Sequence, residues 1–416
     1  MSTLTAALKT ERGLHVAKAV FLAGFSAMFL FCGYEFIRST AESIFLSHFS
    51  AESKPYALSC VPVMMLALIY LYGRLLSAVG SARAMAGSML ISATVFTLAF
   101  FGLKTGNKWL VFLFYIFKES YVVIIAEQYW SFINSTLKDE EGRVFNGPVA
   151  GLGALGSLAG GFILSRYVVA LHSETFILLS AAAFMPALAL FWLAYKQGGE
   201  PAPTQAEACG RKGHLHLSIL KENRTVLYIA IIIFTAQVVG TLLDLRFTQL
   251  AREVLPEKDL RTAFFGSFWM KVNIFSFSMQ FLLTPLLLRY IKVRWIQVAI
   301  PVVHICTCAF LLMRPGIFTA GLAFLLFKGM DYSIFRASKE TLYIPFSYDT
   351  RYRAKQVADA FSYRFSKGVT SVVLSAATAA GAIPAAAYAG AAMLFSGLWT
   401  GIAFPLTSSR DKVTGN

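Results

Sequence analysis

Charge is what this chain has least of. Only 14% of its 416 residues are Asp, Glu, Lys or Arg, against 57% hydrophobic residues. A soluble domain carries about 25% charged residues to cover its surface, so a string of soluble domains is excluded. Cysteine is scarce and odd in number: Cys32, Cys60, Cys209, Cys306 and Cys308. All but Cys209 fall in apolar runs, which excludes a disulfide framework, and their spacing fits no zinc motif. His214 and His216 fall in a polar loop without partner ligands. His304 stands alone in an apolar run and reads as a packed core residue. No Ser/His/Asp set, metal-ligand cluster or P-loop is present, so the expectation is neither an enzyme nor a cofactor-binding protein. Strand-like alternation is missing, which argues against a β-barrel. The first apolar run, Ala19 to Cys32, continues into Glu35 and Arg38 without a small-residue cleavage pattern, so no cleavable signal peptide is expected.

What is there is a series of long apolar runs, with a mean hydropathy of +0.62. Several exceed 18 residues, enough to cross a hydrocarbon core as helices that satisfy their own backbone. The reading is an all-α polytopic membrane protein of about 12 spans. In the first half these run from Ala19 to Phe45, Pro55 to Leu75, Ala84 to Leu103, Trp109 to Ile133, Gly147 to Leu171 and Thr175 to Tyr195. In the second half they run from Val226 to Leu250, Ala263 to Tyr290, Trp295 to Met313, Gly316 to Pro345, Gln356 to Ala379 and Ile383 to Ala403. A polar stretch rich in Gly, Pro and Ala separates the halves and reads as a flexible connector. The expected organisation is a six-helix bundle over 1–195, a linker over 196–225, and a second six-helix bundle over 226–416.

Lys and Arg are unevenly shared between alternate loops. With the N-terminus inside, roughly 20 fall in inside segments and roughly 8 outside, the bias of the positive-inside rule. Both termini and the linker are then cytoplasmic. The net charge of +15 has two readings. Basic loops meeting anionic lipid account for most of it; the part inside the spans suits a cavity for an anion. No basic run with interleaved aromatics stands outside the membrane, so nucleic acid is not an expected partner.

The halves resemble each other. Phe117-Lys118 in the fourth span matches Phe327-Lys328 in the tenth, and Arg38-Ser39-Thr40 in the first matches Arg246-Phe247-Thr248 in the seventh. Corresponding motifs in two six-span halves suggest a parallel internal repeat, the major-facilitator plan with a substrate site near the midplane.

Charges inside spans are costly, so they pair or face a water-filled cavity. Glu35, Arg38 and Glu42 lie on one stripe of the first span, at i, i+3 and i+7. They form either an ion-pair ladder or part of a site. The fourth span carries Lys118, Glu119 and Glu127. Here the choice is between an interhelical salt-bridge network and a phosphate-binding Lys beside gating carboxylates. The tenth span is densest. Lys328, Asp331 and Lys339 fall within about 80° of one another on an ideal helical wheel, with Arg336 at the edge and Glu340 beyond it. Arg364 and Lys367 share a face of the eleventh span. Asp244 and Arg246 point to opposite sides of the seventh, and Lys271 is available to neutralise Asp244. Excess cations suit a phosphate or carboxylate substrate. Tyr121, Tyr129, Trp130, Tyr332 and Tyr343 stand beside them, either as base-stacking partners or as ordinary packing. Gly151, Gly153, Gly156, Gly160 and Gly161 in the fifth span read as a close-packing stripe.

Two segments carry a family resemblance. Glu127-Gln128-Tyr129-Trp130-Ser131-Phe132-Ile133-Asn134 precedes a charged loop and a Gly-rich span. Asp331-Tyr332-Ser333-Ile334-Phe335-Arg336-Ala337-Ser338-Lys339-Glu340-Thr341-Leu342-Tyr343-Ile344-Pro345 follows Lys328 and leads on to Lys355, Asp359, Arg364 and Lys367-Gly368. Together they resemble the nucleotide transporter family of ATP/ADP antiporters of plastids and intracellular bacteria. The resemblance implies a major-facilitator-like fold and transport of nucleotides or related phosphorylated anions. Lys339 matches the lysine of the family's Lys-Glu pair, and Asp244 takes the place of a Glu in the seventh span. Departures mark a divergent member. Ala41 replaces a lysine of the first-span motif, and Arg336-Ala337 stand where the family has Asp-Pro.

The combined expectation is a secondary transporter working by alternating access through a central cationic cavity. Arg38, Lys118, Lys328, Arg336, Lys339, Arg364 and Lys367 would bind the anion, and Glu119, Glu127, Asp244, Asp331 and Glu340 would couple or gate. Membrane lipid is the other expected partner, the working unit a monomer, and the location a bacterial inner membrane. The competing expectation is a transport-inactive membrane subunit or receptor whose ion pairs are structural.

Overall fold

A computed structural model describes residues 11–137, 139–199, 219–343 and 362–414. Among the described residues twelve long helices follow one another. They are α1 (Glu11–His48), α2 (Lys54–Val79), α3 (Ser81–Leu103), α4 (Lys108–Thr136), α5 (Asp139–Leu171) and α6 (Ser173–Gly198), then α7 (Arg224–Val254), α8 (Lys258–Tyr290), α9 (Val293–Met313), α10 (Ile317–Leu342), α11 (Ser362–Ala380) and α12 (Ala385–Thr414). No strand occurs among the described residues. Eleven of the helices have segments long and apolar enough to cross a membrane. The described part of α11 falls short because Arg364, Lys367 and a run of Ser and Thr dilute it. The chain is an integral, multi-pass membrane protein.

Local chemistry sets the helix ends. The side chain of Asn107 accepts from the Trp109 backbone N–H, and that of Asn223 from those of Thr225 and Val226, satisfying donors that a helix start leaves open. Gly80, at φ 81°, makes the tight join between α2 and α3, a conformation that costs a residue without a Cβ little. Two helices carry π turns, Met279–Leu283 in α8 and Asp331–Phe335 in α10. These π turns pack against each other.

The described residues form two compact units. The first takes in the described residues within Met1–His48, Val63–Arg211 and Glu257–Met270; the second takes in those within Phe49–Pro62, Lys212–Pro256 and Lys271–Asn416. The start of α2 thus packs with the second unit and the start of α8 with the first.

In the first unit α1 is the central helix and packs on α4, α5 and α6. Lipid gives helices little hydrophobic reason to associate, so close van der Waals fit and interhelical hydrogen bonds do the work. Gly156 and Gly160 bring α5 onto the α1 backbone: a Cβ at Gly160 would lie 2.6 Å from the Cys32 carbonyl oxygen. The Ser26 and Ser180 hydroxyls donate to the Ala187 and Gly33 carbonyls, tying α1 to α6. Phe96 sits among Phe114, Tyr121 and Phe184. In the second unit α7 is central and packs on α10, α11 and α12. Ser366 on α11 donates to the Phe234 carbonyl of α7.

Candidate functional site

In the first unit the intramembrane charges are assembled into a bonded network. Lys118 is 2% exposed. Its ammonium donates to Glu119 at 2.7 Å, stands 3.7 Å from Glu42 and lies 4.3 Å from the centre of the Tyr115 ring. The Tyr115 hydroxyl donates to the same Glu42 carboxylate at 3.0 Å. One helical turn earlier, Arg38 pairs with buried Glu35 at 3.6 Å, and its guanidinium covers the Trp269 ring 3.0 Å from the centroid. The stripe read from the first span therefore exists, with Glu42 turned toward α4. Glu127 is exposed on α4, away from the buried face that holds Lys118. Tyr121 and Tyr129 are buried in aromatic packing, Tyr121 stacked on Phe117 and Tyr129 against Phe191. His304 is likewise buried, between Phe327 and Trp399 in the second unit.

In the second unit the charges gather on α10. On an ideal wheel Arg336 and Glu340 drift off the face of Lys328. The π turn over Asp331–Phe335 changes this. Its wider turn absorbs one extra residue and winds everything downstream back by about 100°, the angle per residue of an α-helix. Counted so, Lys328, Asp331, Arg336, Lys339 and Glu340 fall within about 100° of one another. Their burial agrees: Arg336 is exposed and the other four half-buried, whereas Ser338, on the opposite side, is buried and accepts from Gln297 of α9. Asp331 stands among these charges: Lys328, Lys339 and Arg336 are the cations that act on its carboxylate, with Gln237 of α7 beside it. Lys328 lies 5.5 Å from the centres of both the Phe327 and Tyr332 rings. Lys367 is half-buried on α11; the Arg364 side chain lies outside the described residues.

Asp244 does not rely on Lys271, which is exposed on α8. Its carboxylate is 3.0 Å from the ammonium of Lys54, which also donates to Thr248 at 2.9 Å. Lys54 opens α2 and is 2% exposed, whereas a loop cation would be solvated. Arg246 points away from Asp244, as the spacing requires, and donates to Gln249, which in turn donates to the Tyr388 hydroxyl. Sequence reasoning missed Lys54, Arg261 and Asp259, all of them buried. The available signal was a charged residue just before an apolar run at corresponding places in both halves, Lys54 and Arg261.

No protein-family model matches the chain. A curated relative, ADP,ATP carrier protein 3 of Rickettsia prowazekii (strain Madrid E), is 22% identical over 320 residues. The match takes in 66% of this chain and 64% of that protein, so the chain spans under two thirds of the relative's length. Among solved structures, the nucleoside transporter NupG superposes with a TM-score of 0.65 at 14% identity, covering 94% of this chain and 98% of that one. A bacterial homologue of the iron transporter ferroportin, in an inward-facing state, gives 0.70 at 9% identity, covering 95% and 99%. An auto-inhibited POT family peptide transporter gives 0.62 at 14% identity, covering 94% and 97%. The fold is major-facilitator-like, and a divergent relation to the nucleotide transporter family fits both the sequence match and the tenth-span motif.

Proposed function

We propose that this chain is a secondary transporter that moves a nucleotide or a related phosphorylated anion by alternating access. The observation that carries the reading is the α10 face. Three cations and two acids, half-buried or exposed within a membrane span, are brought together by a π turn, a feature frequent at functional sites. Lys328, Arg336 and Lys339 hold the phosphate oxygens, joined by Arg364 and Lys367 of α11. Asp331 and Glu340 balance these cations while the site is empty. Arg38 and Lys118 serve as further anion ligands only by exchanging Glu35, Glu42 or Glu119 for substrate. Glu119, Glu127 and Asp244 are the remaining coupling groups. The halves 1–195 and 226–416 act as the two moving bundles, with 196–225 as their connector. The protein works as a monomer in a bacterial inner membrane, both termini cytoplasmic. A likeness to an ADP,ATP carrier and to a nucleoside transporter fold supports the substrate class, and exchange of internal for external nucleotide is the coupling mode we favour.

The test is uptake of labelled ATP, ADP, GTP and NAD into proteoliposomes, with and without internal nucleotide. Uptake that requires internal nucleotide supports exchange. Lys339→Ala is expected to abolish uptake in a protein that still folds; full activity in that variant refutes the site. A second reading, a receptor or transport-inactive subunit with purely structural ion pairs, draws its support from the Glu42–Lys118–Glu119 cluster, whose cation is already bonded on two sides. It predicts no uptake of any anion.

A further inference from the structure

The π turn leaves α10 a choice of register, and a buried hydrogen bond favours one of the two. Gln297 of α9 and Ser338 of α10 are both fully buried. The Gln297 carboxamide donates to the Ser338 hydroxyl at 2.9 Å. That hydroxyl in turn donates at 2.6 Å to the carbonyl of Ile334, inside the turn. Phe335, the last residue of the turn, packs edge-on against Trp399 of α12, with ring centroids 4.9 Å apart and both rings buried. All of these contacts lie within the second unit.

An unbroken α-helix over the same residues would carry each one past the turn about 100° further round. Every residue would then take the direction that its successor has here. Ala337 would face Gln297 in place of Ser338, with a methyl group where the hydroxyl now accepts. Lys339 would take the direction of Glu340, and Glu340 that of Thr341. Phe335 would leave Trp399 for the exposed direction of Arg336. A buried amide that loses its acceptor disfavours the shifted register by roughly tenfold or more. One polar contact buried between packed helices is a known means of fixing register.

We propose that Gln297 is a positioning residue. By holding Ser338 it fixes α10 beyond the π turn, and so keeps Arg336, Lys339 and Glu340 on the face of Lys328 and Asp331. Trp399 supports the same register through Phe335. Gln297 meets α10 on the side opposite the charges, so it acts on them only through rotation of the helix. The consequence for anion binding rests on the transport reading; the register itself does not.

The test uses the full chain in detergent micelles, its five cysteines replaced by Ala, with a small water-soluble maleimide. Phe335→Cys reports rotation, because position 335 gains an exposed direction. Ile334→Cys controls for loosening, because position 334 passes from one buried direction to another. The first reporter also removes the ring from Trp399, leaving Gln297 as the main hold. Adding Gln297→Leu should speed labelling at 335 roughly tenfold or more, the factor carried by one buried hydrogen bond, and leave 334 slow. Ser338→Ala should act alike. Ala337→Ser combined with Ser338→Ala moves the acceptor by one residue and should speed labelling at 335 furthest. Unchanged labelling at 335 with an unaltered size-exclusion profile, or equal speeding at 334 and 335, overturns the proposal. Should Gln297→Leu fail to fold, Ser338→Ala removes only a hydroxyl, and unchanged labelling there counts equally against it. In transport, Gln297→Leu should raise the apparent KM for the anion. Labelling needs no substrate, so absent uptake by the parent protein bears on the transport reading alone.

Discussion

Replacing Lys118 with Met separates a structural cation from a substrate ligand. The Lys118 ammonium has Glu119 at 2.7 Å, Glu42 at 3.7 Å and the Tyr115 ring at 4.3 Å, at 2% exposure. Met keeps the stem and removes the charge, leaving two carboxylates near each other without their shared cation. Removing one partner of a buried pair costs about 3–5 kcal/mol. The side chains of Glu42 and Glu119 keep 13% and 21% of their surface, which lets water recover part of that. A loss of about 3 kcal/mol is therefore expected, at the low end of the range. Reversible unfolding in mixed micelles, titrated with denaturing detergent, measures it. The double variant Lys118→Met with Glu119→Gln deletes one carboxylate charge as well and should recover at least half of the loss. A single variant within about 0.5 kcal/mol of the parent, the scatter of an ordinary surface substitution, would refute the account of Lys118 as a bonded structural centre.

Gly160→Leu should block the approach of α5 to α1, since even its Cβ would meet the Cys32 carbonyl at 2.6 Å. Overpacking of this kind costs about 1–3 kcal/mol, read as a lower melting temperature in detergent. Arg38→Ala removes a guanidinium lying on Trp269. The contact is worth about 2 kcal/mol when desolvated, and a shift in tryptophan emission should accompany the lost stability. Asn223→Ala deletes the cap of α7 and should cost about 1 kcal/mol in the same unfolding assay.

The helices were legible because a span must be apolar for its whole length, and a run of about 20 such residues has no cheaper conformation in lipid. The charges within them were legible for the converse reason: Lys118, Asp331 and Lys339 interrupt runs that tolerate no charge without a purpose. Their partners were another matter. Lys54 follows Glu52 and Ser53, and Arg261 follows Glu257, Lys258 and Asp259. Both stretches read as solvated loop, and only tertiary contact reveals that each cation is buried against a helix far away in the chain. Asp244 shows the same limit, because Lys271 and Lys54 are equally plausible cations until distance decides. The π turn in α10 was also invisible, since Asp331–Phe335 has no composition that separates a π turn from an α turn. Wheel angles that assume 3.6 residues per turn therefore placed Glu340 off the charged face.

The lysines of the two Phe-Lys motifs, Lys118 and Lys328, stand in different charge surroundings. In the first half, Arg38 and Lys118 stand with Glu35, Glu42 and Glu119, three acids to two cations. In the second half, Lys328, Arg336 and Lys339 stand with Asp331 and Glu340, and the balance reverses. A net negative cluster repels a phosphate; a net positive, partly exposed one attracts it. On the transport reading proposed above, the Phe-Lys motif marks a bonded centre in α4 and an anion-facing cation in α10. Lys118→Ala and Lys328→Ala should then fail differently. The first should lower stability and, in the protein that remains folded, raise the apparent KM less than the second, because Lys118 reaches the anion only by exchanging its own carboxylate partners. The second should leave stability nearly untouched and raise KM for the anion, more steeply at low salt. Equal KM effects in the two variants would mean that both halves contact the substrate alike, and the charge asymmetry would lose its functional meaning.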